Sequence, residues 1–274
     1  MGDLTKNFSR CEFSCGCGCG YDDINTELVS KLQEVRDYFG VPVRITSACR
    51  CTSHNNFVGG SLSSQHLKGN AADIQVVGIS PELVQGYLKE HEGGYYFMTK
   101  RFDRINGHKI HAQTLHAFAG MNFKLPNTYS YEQIFTLLNK MNFDYSSKEQ
   151  LFKIMVFNVI GRNVDDHTKN FGFNMNKKGE WSLSPAYDLT FSYNENFHRI
   201  TPHFLSINGK NQDHNLNDIL HIANEYSIKK PRKIINEINQ SFCHWKKIAK
   251  DLNISKKTTD FIGSRLKTFP YGIK

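Results

Sequence analysis

Apolar positions in the first ninety residues come in short stretches divided by polar, glycine-rich segments. Leu28, Leu32, Val35 and Phe39 recur at helical spacing behind Asn25 and Thr26, either of which can cap a first turn, so the spacing predicts a helix to Phe39. Val41–Thr46 and Ala72–Val77 read as strands. Ser80-Pro81-Glu82 opens a short helix with proline at its first position, running to about Glu90. Residues 4–20 are rich in glycine and cysteine and read as loop. The stretch 47–70, rich in Ser, Gly, His and Asn, reads as an ordered functional loop.

Beyond this the texture changes. Tyr95–Arg101 is β-like and is followed by a turn signal, Asn106-Gly107. From Thr114 the pattern is mostly helical, with helices predicted over Tyr131–Asn139 and Lys148–Ile160. Trp181–Leu183 and Leu189–Phe191 are short β-like pieces. Leu216–Ala223, Pro231–Ile248 and Ser255–Leu266 read as three helical segments. The expected fold class is α+β: a small α+β module over residues 1–91 and a mainly helical one over residues 92–274.

Composition supports the division. Residues 1–91 hold 8 basic and 10 acidic side chains, the remainder 26 and 16, so the net charge of +8 belongs to the second part. A basic half can meet nucleic acid or phosphates, and a non-enzymatic basic binding module is one reading of it. Six of the seven cysteines fall in the first 51 residues. No apolar run approaches the roughly 20 residues that span a bilayer, and MGDLTKNFSR lacks the apolar stretch of a signal peptide. The expectation is a cytoplasmic protein with no membrane partner.

The predicted helix Lys148–Ile160 carries Leu151, Ile154, Met155, Phe157, Val159 and Ile160, and delivers the chain into Asn163-Val-Asp-Asp-His-Thr-Lys-Asn170. So many polar groups behind a buried helix need a purpose, because buried charge is costly unless it meets a metal or a partner. Phosphoryl transfer supplies one: a carboxylate orients and deprotonates the attacking hydroxyl, and oxygen ligands hold Mg²⁺. In protein kinases an Asn follows the catalytic Asp by five residues, the spacing of Asp165 and Asn170. Asp188, in Ser184-Pro-Ala-Tyr-Asp-Leu189, supplies a second carboxylate.

With Met98–Arg104, Lys109–Thr114, Ser130-Tyr131-Glu132, Phe157-Asn158, Asn170–Phe173, Leu183–Leu189 and Leu205–Lys210, these residues resemble the HipA-type serine/threonine kinases over about residues 92–274. The resemblance implies Asp165 as catalytic base and Asn170 and Asp188 as Mg²⁺ ligands. It places Lys169 and Phe102 at the ATP site, the hinge beside adenine running near Met98–Phe102. It also implies a protein substrate carrying the phosphorylated Ser, a toxin role, and an antitoxin partner through which DNA association is indirect. One feature departs from the family. The lobe that should precede the hinge, with a glycine-rich phosphate loop and a phosphate-binding Lys, is replaced. Weak or absent ATP turnover by this chain alone is expected, unless a separate N-lobe protein completes it.

What replaces that lobe has its own chemistry. His66 and Asp73 lie seven apart, the Asp entering a predicted strand, and imidazole and carboxylate are good Zn²⁺ ligands. With Thr46–Arg50, His54-Asn55, Val58–Gly60, Ser63–Asp73 and Glu12–Cys15, the segment from about Leu4 to Glu90 resembles the zinc D-alanyl-D-alanine carboxypeptidases, which include phage endolysins. The resemblance implies His66 and Asp73 as zinc ligands and Arg50 as a substrate-holding residue. A zinc metallopeptidase acting on cell-wall peptides is therefore the alternative function. The family's third ligand, a late His, and its general-base Glu have no counterpart; His91, His108 and His111 lack the right setting. Cys11, Cys15, Cys17 and Cys19, with Cys49 and Cys51, could bind a structural metal, but their spacing is not that of a standard zinc finger, and free thiols are expected.

Overall fold

A computed structural model of the chain describes residues 2–92, 101–105, 108–193 and 202–269. The chain is α+β and divides into two compact units, Met1–Lys100 and Arg101–Lys274, each around an apolar core of its own. Among the described residues no helix is long and apolar enough to cross a membrane.

In the first unit, α1 (Thr26–Phe39) starts where the Asn25 side chain accepts the Glu27 amide and stops at Gly40, whose φ of 64° suits a residue without Cβ. It is followed by β1 (Val43–Ser47), α2 (Thr52–Phe57), β2 (Asp73–Val76) and α3 (Pro81–Glu92). β1 and β2 are antiparallel, with Val43 opposite Val76 and Ser47 opposite Asp73. Val29, Val35, Val43, Val76 and Val84 fill the core together with Phe8 and Phe13. The glycine-rich N-terminal stretch is thus anchored by two buried rings, 5.8 Å apart. The expected loop over 47–70 is more structured than its composition indicates. It contains α2 and a 3₁₀ turn at Gln65–Lys68, each capped by a side chain, of Cys51 and Ser64 respectively.

The second unit opens with β3 (Arg104–Ile105) paired to β4 (His108–Lys109). The Asn106-Gly107 turn and the β-like run over 95–100 lie outside the described residues. β5 (His111–Thr114), α4 (Leu115–Ala119), β6 (Tyr129–Ser130), α5 (Tyr131–Lys140), α6 (Tyr145–Gly161), β7 (Gly172–Met175), β8 (Trp181–Leu183), β9 (Leu205–Ser206), α7 (Leu216–Glu225), α8 (Pro231–Cys243), α9 (Trp245–Asp251) and α10 (Lys256–Arg265) complete the order. β7 lies between β5 and β8 in an antiparallel sheet, and β6 pairs with β9 in parallel. α6 is buried on every side, through Leu151, Phe152, Ile154, Met155, Val156, Val159 and Ile160. It begins three residues earlier than its apolar pattern, because Asp144 caps it by accepting the Ser147 amide at 2.9 Å.

Two expected elements differ. Leu189–Phe191 forms no strand: Asp188 has φ 55°, which breaks an extended run, and Leu189 is exposed. Pro231–Ile248 is not one helix but breaks at His244 into α8 and α9. The break lets Phe242 pack on Phe157 while the Trp245 indole donates to the Thr259 carbonyl at 3.0 Å.

Candidate functional site

α6 ends at Arg162, in the left-handed region at φ 57°, and the chain turns into the polar run. Asn163 is buried and organises the turn. Its Nδ2 donates to the Asn158 side chain at 3.0 Å and to the Asp188 carbonyl at 3.2 Å. Its Oδ1 accepts from the Ser192 hydroxyl at 3.2 Å, and that hydroxyl accepts the Asp165 amide at 3.0 Å. One buried amide thereby holds the backbones of Asp165 and Asp188 in a single hydrogen-bonded frame.

The Asp165 side chain reaches solvent, yet protein crowds it closely enough for desolvation to raise its pKa. His167 opposes the rise, while the negative charges of Asp188 and Asp166 add to it. A carboxylate crowded by protein and by a second negative charge is a setting that a cation relieves. Asn170 donates its Nδ2 to the Asp165 carbonyl at 2.8 Å, which leaves its amide oxygen as the group a cation would meet. The donor set, two carboxylates and an amide oxygen, suits a hard cation such as Mg²⁺.

The neighbouring Asp166 behaves differently. It is fully buried and accepts the Tyr131 hydroxyl at 2.8 Å, His203 Nδ1 at 3.0 Å and the Phe204 amide at 2.8 Å. Burial and the Asp166 charge hold the Tyr131 hydroxyl well above its usual pKa, so it stays protonated and donating. This carboxylate therefore clamps the residues that lead into β9. Adjacency to Asp165 conceals the role in the sequence; the downstream His203-Phe-Leu205 that it grips is 37 to 39 residues away.

The flank beyond Asp188 is aromatic. Tyr187 donates to the Lys169 carbonyl at 2.6 Å and lies 5.5 Å from the Phe102 ring. Burial first, and then the Asp188 charge, push the Tyr187 hydroxyl up. The Lys169 ammonium sits 3.7 Å from the centre of the Phe123 ring, and burial, with Lys124 nearby, lowers its pKa. Gly172 permits this packing: a Cβ there would lie 2.8 Å from Ser184 Oγ and 3.3 Å from the Tyr187 ring.

In the first unit, His66 and Asp73 do come together. The β1–β2 pairing sets Asp73 opposite Ser47, and the 3₁₀ turn brings His66 Nε2 to 3.7 Å from its carboxylate. His66 Nδ1 bonds the Ala48 carbonyl at 2.7 Å, the kind of bond that fixes a metal-binding imidazole with Nε2 outward. Arg50 joins at 3.2 Å from Asp73, with Ser47 Oγ also at 3.2 Å. A catalytic zinc takes three protein ligands. Among the described residues no third one joins this pair. His108 and His111 are exposed on β4 and β5 of the other unit, and the His91 side chain lies outside the described part of the chain. The described residues thus do not complete a catalytic zinc site, and Asp73 is balanced by Arg50 instead.

A different cluster does form. The Sγ atoms of Cys15, Cys17, Cys19 and Cys51 all lie within 4.8 Å of one another, and none is in a disulfide. Burial resists ionisation of Cys15, but hydrogen bonds from the Cys17 and Cys51 amides, the Cys17 thiol and His54 outweigh it and bring the thiol down to about 6. Cys17 is pushed up to about 12, chiefly by the Cys15 and Cys19 sulfurs. Cys11 is exposed and Cys49 is packed in the core; neither belongs to the cluster.

Known proteins resemble the chain in two stretches that overlap over residues 70–109. The family described as HipA-like C-terminal domain matches residues 70–249. Peptidase M15 matches residues 6–109. None of the curated proteins matches. Among solved structures, the chain is similar to one from Shewanella oneidensis MR-1, of the toxin–antitoxin proteins HipA and HipB with their operator DNA. The identity is 16% and the TM-score 0.47, over 60% of this chain and 45% of that one, so this chain spans less than half of that protein's length.

Proposed function

We propose, because this chain belongs to the family of HipA-like C-terminal domains, that its second module is the catalytic half of a serine/threonine protein kinase. The observation that carries the reading is the frame in which Asn163 and Ser192 hold Asp165 beside Asp188. Asp165 would accept the proton of the incoming serine hydroxyl, a role its raised pKa suits. Asn170 and Asp188 would hold Mg²⁺, while Phe102 and Lys169 would border the nucleotide. Bound Mg²⁺-ATP supplies the phosphoryl group and neutralises charge as it moves. Residues 92–274 would hold this chemistry, and because the sequence of residues 1–91 carries no glycine-rich phosphate loop, a separate N-lobe protein is the partner proposed to supply the nucleotide lobe. The same family reading makes the protein a toxin, with a DNA-binding antitoxin as its other partner.

The test is transfer of labelled phosphate from Mg²⁺-ATP to protein serine, by the chain alone and with cell extract from which the lobe can be recruited. Activity lost in Asp165→Ala and in Asp188→Asn is expected. Transfer that is unchanged in Asp165→Ala sinks the assignment.

A second reading, a zinc D,D-peptidase, is favoured by the outward Nε2 of His66 beside Asp73 and Arg50. It requires release of a D-Ala from a D-Ala-D-Ala peptide in the presence of Zn²⁺, abolished by Asp73→Asn. No release at any zinc concentration rejects it.

A further inference from the structure

We propose that Cys15, Cys17, Cys19 and Cys51 form a structural zinc site that clips the N-terminal loop to the segment carrying Arg50. The backbone makes such a site possible. In Cys15-Gly-Cys17-Gly-Cys19-Gly20 the cysteines alternate with glycines, and the Gly18 amide donates to the Cys15 carbonyl at 3.1 Å, closing a turn. Gly18 and Gly20 have φ of 77° and 79°, conformations that a side chain would strain, so the chain can coil and bring all three sulfurs to one point. Gly16 passes close to His54, where a Cβ would lie 3.2 Å from the imidazole. The fourth sulfur comes from Cys51, at the start of α2, and completes a cluster that local spacing does not reveal.

The geometry fits a tetrahedral thiolate site. Four sulfurs about 2.3 Å from a zinc ion lie about 3.8 Å from each other. Cys15 and Cys17 sulfurs are 3.4 Å apart, Cys17 and Cys51 sulfurs 3.6 Å, and all four fall within 4.8 Å. Four thiols at this separation have little to gain from each other, since S–H groups are weak donors and acceptors. Independent contacts point to negative charge on sulfur. The Cys51 amide donates to Cys15 Sγ at 3.3 Å and the His54 amide to Cys51 Sγ at 3.4 Å. His54 Nδ1 lies 3.2 Å from Cys15 Sγ. These are the outer hydrogen bonds that orient thiolate ligands. Soft sulfur ligands in a closed set of four select zinc for structure, with no open position for water. Cys17 and Cys19 are exposed, which gives the ion an entry path.

The clip has a local consequence. Cys51 follows Arg50, whose amide donates to the His66 carbonyl at 3.0 Å while its guanidinium holds Asp73. Zinc at the four cysteines would therefore set the corner where Arg50, His66 and Asp73 meet, from a place distinct from that corner.

The experiment uses the full chain purified under reducing conditions. Metal content is measured by mass spectrometry, and the apoprotein is titrated with Co²⁺, whose thiolate charge-transfer absorption reports sulfur ligation directly. The expected result is about one zinc per chain, retained in the His66→Ala/Asp73→Ala double variant and in Cys11→Ser and Cys243→Ser, and lost in Cys17→Ser and Cys51→Ser. If the serine variants fail to fold, the Co²⁺ spectrum of the unaltered chain decides. No thiolate charge-transfer band, or zinc that disappears in the His66/Asp73 double variant, overturns the proposal. So do disulfides among these four residues in the reduced preparation. Because the cysteine and histidine variants are scored separately, failure here is distinguishable from failure of the peptidase reading.

Discussion

Replacing Asp166 with alanine is expected to unfold the second unit far more readily than replacing its neighbour Asp165. The Asp166 carboxylate is the acceptor for the Tyr131 hydroxyl and His203 Nδ1 in a fully buried setting, and shares the Phe204 amide with the Val164 carbonyl. Truncation leaves the Tyr131 and His203 donors without this acceptor. Each buried donor orphaned in this way costs about 1–3 kcal/mol, and two are orphaned together here. The Phe204 amide keeps its Val164 partner and contributes little. We therefore expect a loss of about 3–5 kcal/mol, a large share of the roughly 5–15 kcal/mol that stabilises a domain. In a unit of this size it lowers the melting midpoint by about 6–20 °C. Asp165 is exposed as a residue, so Asp165→Ala is expected to move the midpoint by less than about 2 °C. Thermal unfolding followed by circular dichroism, with Asp166→Asn as an intermediate case that keeps one acceptor oxygen, measures both. Midpoints for Asp166→Ala and Asp165→Ala that agree within error would refute the division of labour between these two adjacent residues.

Other expectations can be checked in the same preparations. His214 is buried against His203 and its pKa is lowered from the ordinary 6.5 to about 4, first by burial and then by His203. The unfolded chain then binds this proton more readily than the folded one. Stability present above about pH 6.5 should fall, by at most about 3 kcal/mol, as the pH drops towards 4. His214→Gln should make the fall shallower, and an unchanged slope argues against it. Gly172→Ala drives a methyl against Ser184 Oγ and the Tyr187 ring. A destabilisation of about 1–3 kcal/mol is expected, together with loss of phosphotransfer through displacement of Asp188; full activity would exclude that coupling. Asn163→Ala releases the Asp188 carbonyl and the Ser192 hydroxyl. It should weaken Mg²⁺ binding, as read by calorimetry, more than Ser192→Ala does, and the reverse order contradicts a frame centred on Asn163.

How far the sequence discloses this molecule depends on the range of the contacts involved. α1 and α5 arise from apolar spacing and from N-caps whose side chains accept amides two or three residues on, all of it local. α6 is legible because its apolar residues cover every side. Trp181–Leu183 reads as β-like and forms β8, but β5, β6, β7 and β9 are two to four residues long, too short for alternation to register, and exist through pairing with distant partners such as His111 with Met175. The same reason explains the sites. Asp165, Asn170 and Asp188 stand out because the residue types and spacing suit a reaction. Asp166 reads as part of the same turn, and only the return of His203–Leu205 shows it to be a core residue. The cysteines are conspicuous by number, but spacing within 11–19 suggests free thiols. It is the arrival of Cys51 that closes the group, and nothing within the local sequence announces that contact.

The grip of Asp166 on the residues before β9 also bears on how the second unit folds. β6 and β9 are a parallel pair, and the hydrogen bond from Ser206 to the Tyr129 carbonyl joins positions 77 residues apart. Closing so long a loop loses chain entropy before any contact compensates, so such pairings slow the search. The local elements α5 and α6 can assemble first, with Tyr131 and Asn158 already hydrogen-bonded to each other across their interface. Asp166 then acts as the latch that secures the last strand. A latch that closes after the rate-limiting step leaves the folding rate nearly unchanged when it is weakened and shows its loss in faster unfolding. We expect Asp166→Ala to shorten the lifetime of the assembled unit more than it slows its formation, which unfolding and refolding rates would measure.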